Sequence, residues 1–110
     1  MSLANRTSKY HNRRKDGFDS QKEFNRYAEL ALLQRAGKIS DLQRQVRFEL
    51  IPAQYKDGKC VYRSCTYVAD FVYMENGEKV VEDSKGFKTP EYIIKKKLMY
   101  QRYGIIVKET

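Results

Sequence analysis

The chain has 110 residues, with 22 Lys and Arg against 14 Asp and Glu, which gives a net charge of +8. Its length fits one domain, and a content of 41% hydrophobic and 13% aromatic residues excludes a wholly disordered protein. One histidine and two cysteines are too few for a four-ligand zinc site, no glycine-rich nucleotide motif occurs, and no apolar run approaches the ~20 residues of a membrane span. Any catalysis would therefore depend on carboxylates, lysines and a hard metal ion.

The N-terminal third contains a basic arm followed by a helix. Residues 1–17 are polar and basic, and we expect a flexible arm there, ahead of a single domain at 18–110. Ser20 and Glu23 match a helix capping box. The apolar positions after them predict a helix that ends at Gly37.

Three strands are predicted from alternating or β-branched residues between turn signals. They cover 46–50, 60–74 and 79–85. Pro52 ends the first strand, an Asp57-Gly58 turn precedes the second, and an Asn76-Gly77 turn joins the second to the third. Both cysteines fall in the second predicted strand, five residues apart. That separation is too long for a disulfide, so they are expected to be reduced thiols in a cytosolic protein.

A second helix and a short last strand complete the predicted fold. Thr89 and Pro90 fit the N-cap and first helical positions, and Gly104 fits the end of the helix after Tyr103. Residues 104–108 predict the last strand. The order α-β-β-β-α-β indicates an α/β fold with a mixed sheet flanked by helices.

Two carboxylates and a lysine are predicted to converge on this sheet. A two-residue turn at Asn76-Gly77 fixes the register, so that counting outwards places Asp70 opposite Asp83. Lys85 lies two residues further and shares their face, beside apolar valines. Opposed carboxylates repel each other, and a divalent cation between them removes that repulsion. Their oxygen ligands favour Mg²⁺ or Mn²⁺.

Two alternatives to a metal site remain open. Asp70 or Asp83 could form a cross-strand salt bridge with Lys85 on a solvated sheet face. A three-residue bulged loop would shift the register by one and bring Glu82 opposite Asp70.

These residues resemble the PD-(D/E)XK nuclease superfamily. Asp70 matches its strand aspartate, Asp83-Ser84-Lys85 matches its (D/E)-x-K triplet, and the element order matches its restriction-endonuclease-like core. Ala69 stands where the motif has proline. More narrowly, the chain is similar to a small family of uncharacterised phage and prophage proteins that resemble Holliday-junction-resolvase-like nucleases. The shared segments begin at Phe18, Gly37, Ala69 and Glu82 and are spread across most of 18–106.

The resemblance implies a Mg²⁺-dependent DNA endonuclease that acts on branched or recombination-intermediate DNA. Asp70, Asp83 and the Ser84 carbonyl would hold the metal, and Lys85 would assist the attacking water. Glu23 would support a second metal or orient water, although it could equally serve as the helix cap. A homodimer in the cytoplasm of a bacterial host cell of a phage or prophage is also implied.

Basic residues cluster near the triplet and in the arm, where they suit phosphate contacts. The candidates are Lys88, Lys95, Lys96, Arg13 and Arg14. A non-catalytic nucleic-acid-binding module with the same fold is the second hypothesis. A phage structural or partner-binding protein, whose basic surface meets an acidic protein, is the third.

Overall fold

A computed structural model describes residues 20–84 and 88–110. The predicted arm at 1–17, with Arg13 and Arg14, and the predicted catalytic Lys85 lie outside the described residues. The helices are α1 (Gln21–Arg35) and α2 (Pro90–Tyr103), and the strands are β1 (Ser40–Ile51), β2 (Gln54–Lys56), β3 (Lys59–Tyr62), β4 (Cys65–Glu75), β5 (Glu78–Asp83) and β6 (Lys108–Glu109).

Both helices begin and end where their capping residues predict. The Ser20 hydroxyl accepts a hydrogen bond from the Glu23 backbone N–H at 3.1 Å, and the Thr89 hydroxyl accepts one from Tyr92 at the same distance. Gly104 closes α2 in the left-handed conformation, with φ at 70°. The boundaries of both helices therefore follow from local sequence chemistry.

The main sheet is mixed and has the strand order β1-β4-β5-β6. The first three of these strands pair antiparallel, and β5 pairs parallel with β6. Alternate residues of β4 and β5 enter two separate cores. Phe71 and Tyr73 pack with Leu30 of α1, while Val72 and Val81 pack with Met99 of α2. The helices therefore cover opposite faces, which confirms the predicted α/β architecture of a mixed sheet flanked by helices.

The strands between the helices number five among the described residues, so the prediction of three was wrong. The predicted strand at 60–74 is two strands, because pairing stops at Arg63 and Ser64. The strand predicted at 46–50 begins earlier, at Ser40, and the last strand is Lys108–Glu109 and not 104–108. Strands β2 and β3 pair with each other in a separate two-stranded sheet. Cys60 and Cys65 thus lie on different strands, and both are free thiols.

Two tight turns set the register of the antiparallel strands β1 to β5. The Asn76-Gly77 turn gives the pairs from Glu75–Glu78 to Phe71–Glu82, as predicted. The Asp57-Gly58 turn pairs Lys56 with Lys59. Counting outwards from that turn along both strands predicts Val46 opposite Ala69, and this pair occurs in β1 and β4. One bulge between β2 and β3 and a second shift near Ile51 cancel each other, so β2–β3 continues the β1–β4 ribbon.

Side-chain alternation breaks in the middle of this ribbon. Leu42 packs in the α1 core, yet Val46, four residues later, packs in the α2 core. On the facing strand, Ala69 and Val72 both pack in the α2 core, although they are three residues apart. Gln45 lies in the break with a φ of 53°, in the left-handed region that a non-glycine residue rarely adopts. Because of this break, Gln45 and Asp70, which face each other across β1 and β4, belong to neither core.

Of the helices in the described residues, neither combines the length and apolar character that crossing a bilayer requires.

Candidate functional site

The break in alternation brings Glu23 of α1 close to Asp70 of β4. Gln45 lies between them. Its side-chain Nε2 is 3.0 Å from Glu23 Oε2 and 3.4 Å from Asp70 Oδ1. Glu23 is only 3% exposed, because the capped first turn of α1 places it against the sheet. Two carboxylates from different elements therefore approach one polar amide.

Gln45 adopts a costly backbone conformation at this point. A left-handed residue other than glycine costs about 1–2 kcal/mol, and such outliers concentrate at functional sites. The pairs Val46–Ala69 and Arg44–Phe71 hold the strand in register on both sides of Gln45. In this conformation the Gln45 amide donates towards the two carboxylates.

Asp70 also joins the end of β5. Its Oδ2 accepts a hydrogen bond from the Ser84 backbone N–H at 2.9 Å. The Ser84 hydroxyl lies 3.1 Å from the Thr110 hydroxyl. Asp70 and Ser84, two predicted metal-site residues, are therefore in direct contact.

Asp83 occupies the position opposite Asp70, which is one residue beyond the Phe71–Glu82 pair. It is fully buried, and its Oδ2 accepts a hydrogen bond from the Tyr67 hydroxyl at 2.5 Å. Burial, followed by this hydrogen bond, raises the pKa of Tyr67 well above its ordinary value, so the phenol remains a donor. Tyr67 belongs to the α2 core. The predicted register is confirmed. Asp83 bonds to Tyr67 of the α2 core, whereas Asp70 bonds to Gln45, which also contacts Glu23 of α1.

Glu82, the other acid considered for the triplet, has a different environment. It is fully buried on the α1 side, where Arg26 binds it through Nε and Nη2 at 2.7 and 2.9 Å and the Tyr73 hydroxyl donates at 2.5 Å. Burial alone would raise the pKa of Glu82, but the hydrogen bonds from Arg26 and Tyr73 and the Arg26 charge together hold it below its ordinary value. With both oxygens engaged, Glu82 serves as a structural ion pair, and strand parity leaves Asp83 opposite Asp70.

The predicted phosphate-binding lysines lie on and before α2, each near an acidic residue. Lys96 and Lys88 approach the Glu109 carboxylate at 2.6 and 3.6 Å. Lys95 pairs with Glu91 at 3.0 Å. The hydrogen bond from Lys96 is the main reason that the pKa of Glu109 lies below its ordinary value. Glu109 pairs with Asp83 in the β5–β6 ladder. Lys88 and Lys96 therefore lie beside the acidic row, which consists of Gln45, Asp70 and Asp83 on the neighbouring strands β1, β4 and β5.

An open cavity of about 460 Å³ borders the site on its α1 side. Ser84 connects it to Asp70 through the hydrogen bond described above. The lining residues are Lys22, Asn25, Arg26, Glu29, Ser84 and Thr110. Its walls offer hydroxyl, amide and cationic donors, together with the Glu29 carboxylate, and Arg26 is already paired with Glu82 and Glu29.

The donors at this site suit a hard cation in chemistry, but they do not form a complete cage. Glu23 and Asp70 supply carboxylate oxygens on either side of the Gln45 amide, the ligand type that Mg²⁺ and Mn²⁺ prefer. Within residues 20–84 and 88–110, no three His, Cys, Asp or Glu side chains form a group that could hold one ion. A two-carboxylate site completed by backbone oxygens and water would fit Mg²⁺, which usually keeps several waters.

Three contributors to this region are absent from the sequence predictions. Gln45 could have been found by counting outwards from the Asp57-Gly58 turn, which places it opposite Asp70. Arg26 lies one helical turn after Glu23, a position that can reach the same sheet face. Glu109 carried no signal, because its position depends on the parallel β5–β6 pairing.

Comparison with known proteins gives one family. No curated protein and no solved structure matches the chain. Residues 7–109 match the family described as "Protein of unknown function (DUF1064)". Because this match spans nearly the whole sequence, the chain belongs to the DUF1064 family.

Proposed function

We propose that the protein is a metal-dependent DNA endonuclease of the PD-(D/E)XK type, acting on branched or recombination-intermediate DNA. The observation that carries the proposal is the row Gln45, Asp70 and Asp83 across three neighbouring strands, with Glu23 drawn to it from α1. Strand aspartate, triplet acid and first-helix glutamate are the acidic positions that the resemblance implies. The net charge of +8 suits a polyanionic substrate.

Each residue has a role that follows from its surroundings. Asp70 and Asp83, with the Ser84 carbonyl, would hold Mg²⁺ or Mn²⁺, and Glu23 would support a second metal or orient water. The Ser84 N–H fixes the Asp70 carboxylate, and the Tyr67 hydroxyl fixes Asp83. A bound divalent ion lowers the pKa of a coordinated water and stabilises charge on a phosphate. Lys85, two residues after Asp83, would assist the attacking water. Lys88 and Lys96 can exchange the Glu109 carboxylate for phosphate oxygens, because such exposed pairs are weak.

Partner and compartment follow from the same resemblance. Resolving a branched molecule requires two cuts, so a homodimer is part of the proposal, with the bacterial host cytoplasm of a phage or prophage as its place of action.

One observation favours a second candidate, the non-catalytic nucleic-acid-binding module. The Gln45 amide lies between Glu23 and Asp70, where it donates to one oxygen of each carboxylate without a cation. In that case the basic surface alone would act, and the acidic row would be structural.

A cleavage assay separates the two candidates. A four-way junction and a linear duplex of matched sequence are incubated with Mg²⁺, Mn²⁺ or EDTA, using wild type and Asp83→Asn. The asparagine keeps the acceptor for Tyr67 and so preserves packing. We expect cleavage with either metal, none in EDTA, and a large loss in the variant, with the junction cut faster than the duplex. Intact DNA in both metals, with binding retained, would contradict the endonuclease and favour the binding module.

A further inference from the structure

The β2–β3 hairpin stands apart from the two cores. Its strands pair only with each other, and every residue from Gln54 to Ser64 is exposed. It nevertheless continues the register of the β1–β4 ribbon across the unpaired residues 52–53 and 63–64. An ordered extension that contributes nothing to either core has no evident role in stability.

The tip of this hairpin carries two like charges in direct opposition. Lys56 pairs with Lys59 across the turn, which is destabilising for two lysines on their own. Neither of them forms an ion pair with the residues that the structure describes. Arg63 adds a third cation, and Asp57 is the one acid of 54–63. An anion placed over the lysine pair would turn this repulsion into attraction.

One face of the hairpin joins these cations to an aromatic ring. Tyr62 pairs with Gln54, two residues before Lys56, and the bulge after this pair brings it to the lysine face although it lies three residues after Lys59. It is 65% exposed. A tyrosine hydroxyl beside lysines can donate to a DNA phosphate oxygen. A second copy of this chain would instead bring another positive hairpin towards this one.

The dimensions of the hairpin also suit a duplex. A two-stranded ribbon is narrow enough to lie against the phosphates at the edge of the major groove, which is about 12 Å wide. Eleven residues separate Gln45 from Lys56, so the tip lies at most about 40 Å from the acidic row. One turn of a DNA duplex is about 34–36 Å. A duplex that meets Asp70 can therefore meet the tip about one turn away.

We infer that the β2–β3 hairpin is a second DNA-contacting element, which lays Lys56, Lys59 and Tyr62 on the phosphate backbone away from the acidic row. This inference rests on the proposed function for its ligand, DNA, but not on cleavage. Since the contacts are to phosphates, the hairpin contributes affinity and salt dependence without reading sequence.

The test measures binding of the full chain to a 30-base-pair duplex by fluorescence anisotropy in EDTA, over a series of salt concentrations. Lys56→Ala/Lys59→Ala is expected to lower the slope of log affinity against log salt by about 2, since each phosphate contact contributes about 0.9. The same change corresponds to roughly tenfold to thirtyfold weaker binding near 0.15 M salt. Lys38→Ala/Lys79→Ala is the matched control, because both lysines are exposed at the opposite end of the sheet.

An unchanged slope in the Lys56/Lys59 variant, or an equal fall in the control, would overturn the inference. A further variant replaces 52–64 with Asn-Gly, joining Ile51 to Cys65, which already pair. If that variant loses self-association in sedimentation but keeps the wild-type salt slope, the hairpin is a contact between copies and the inference is wrong. Hairpin-dependent binding without cleavage in Mg²⁺ or Mn²⁺ would contradict only the endonuclease. Cleavage with a hairpin-independent slope would contradict only this inference.

Discussion

Asp70→Asn is expected to reduce metal-dependent DNA cleavage by about 10²–10³-fold or more, the range seen when one charge-stabilising group is removed from an active site. The amide oxygen can still accept the Ser84 N–H that binds Asp70 Oδ2 at 2.9 Å, so the fold is preserved. The negative charge that would hold the cation together with Asp83 is lost. Initial rates on the four-way junction, at saturating Mg²⁺, give the comparison.

Asp41→Asn provides the matched control for this change. Asp41 is exposed near the start of β1 and has a φ of 54°, which asparagine tolerates well. Both variants make the same change in net charge, so a general electrostatic effect on DNA binding would appear in both. Equal activity of Asp70→Asn and Asp41→Asn, with similar affinity in EDTA, would show that Asp70 takes no part in catalysis.

Arg26→Ala is expected to destabilise the protein by about 3–5 kcal/mol, because it leaves the buried Glu82 carboxylate without its cation. Domains of this kind have a total stability of about 5–15 kcal/mol, so the loss is a large part of it. Urea denaturation at pH 7 measures the difference. Glu29→Ala removes the other, exposed partner of Arg26 and is expected to cost less than about 1 kcal/mol.

The effect of Arg26→Ala should also depend on pH. In the wild type the pKa of Glu82 lies below its ordinary value of 4.5. The contribution of ionised Glu82 to stability is therefore complete above pH 4.5, and it is lost as the pH falls through the pKa that Glu82 has in the folded state. Without Arg26, burial dominates and raises the pKa of Glu82, so the variant loses stability as the pH rises. The difference in the free energy of unfolding between wild type and Arg26→Ala should thus be largest near pH 7 and become smaller on acidification. A difference that does not change with pH would mean that Arg26 acts through packing alone.

The parts of the fold that could be predicted are those decided by a few neighbouring residues. Ser20 and Thr89 fix where the helices begin, and Gly104 fixes where α2 ends. The Asn76-Gly77 turn fixes the β4–β5 register, and hence Asp70 opposite Asp83. The division of 60–74 into two strands was missed, because the stretch has no proline or glycine at the break.

The less predictable parts of the site depend on distant contacts. Alternation alone predicts that Asp70 and Asp83 point to one face, but it does not predict their partners, which are Gln45 for Asp70 and Tyr67 for Asp83. The left-handed Gln45 links Asp70 to Glu23 of α1, and no residue preference would place glutamine there. Glu23 was identified from its resemblance to a family pattern, and its approach to Asp70 through Gln45 required the packing of α1.

The connectivity of the main sheet makes different parts of the site depend on different lengths of chain. Strands β1, β4 and β5 are antiparallel neighbours whose registers are set by two tight turns. The parallel β5–β6 pair requires a crossover, which α2 supplies. Gln45, Asp70 and Asp83 are thus aligned by the antiparallel strands and their turns, whereas Glu23 depends on the packing of α1, and Glu109 depends on the crossover through α2.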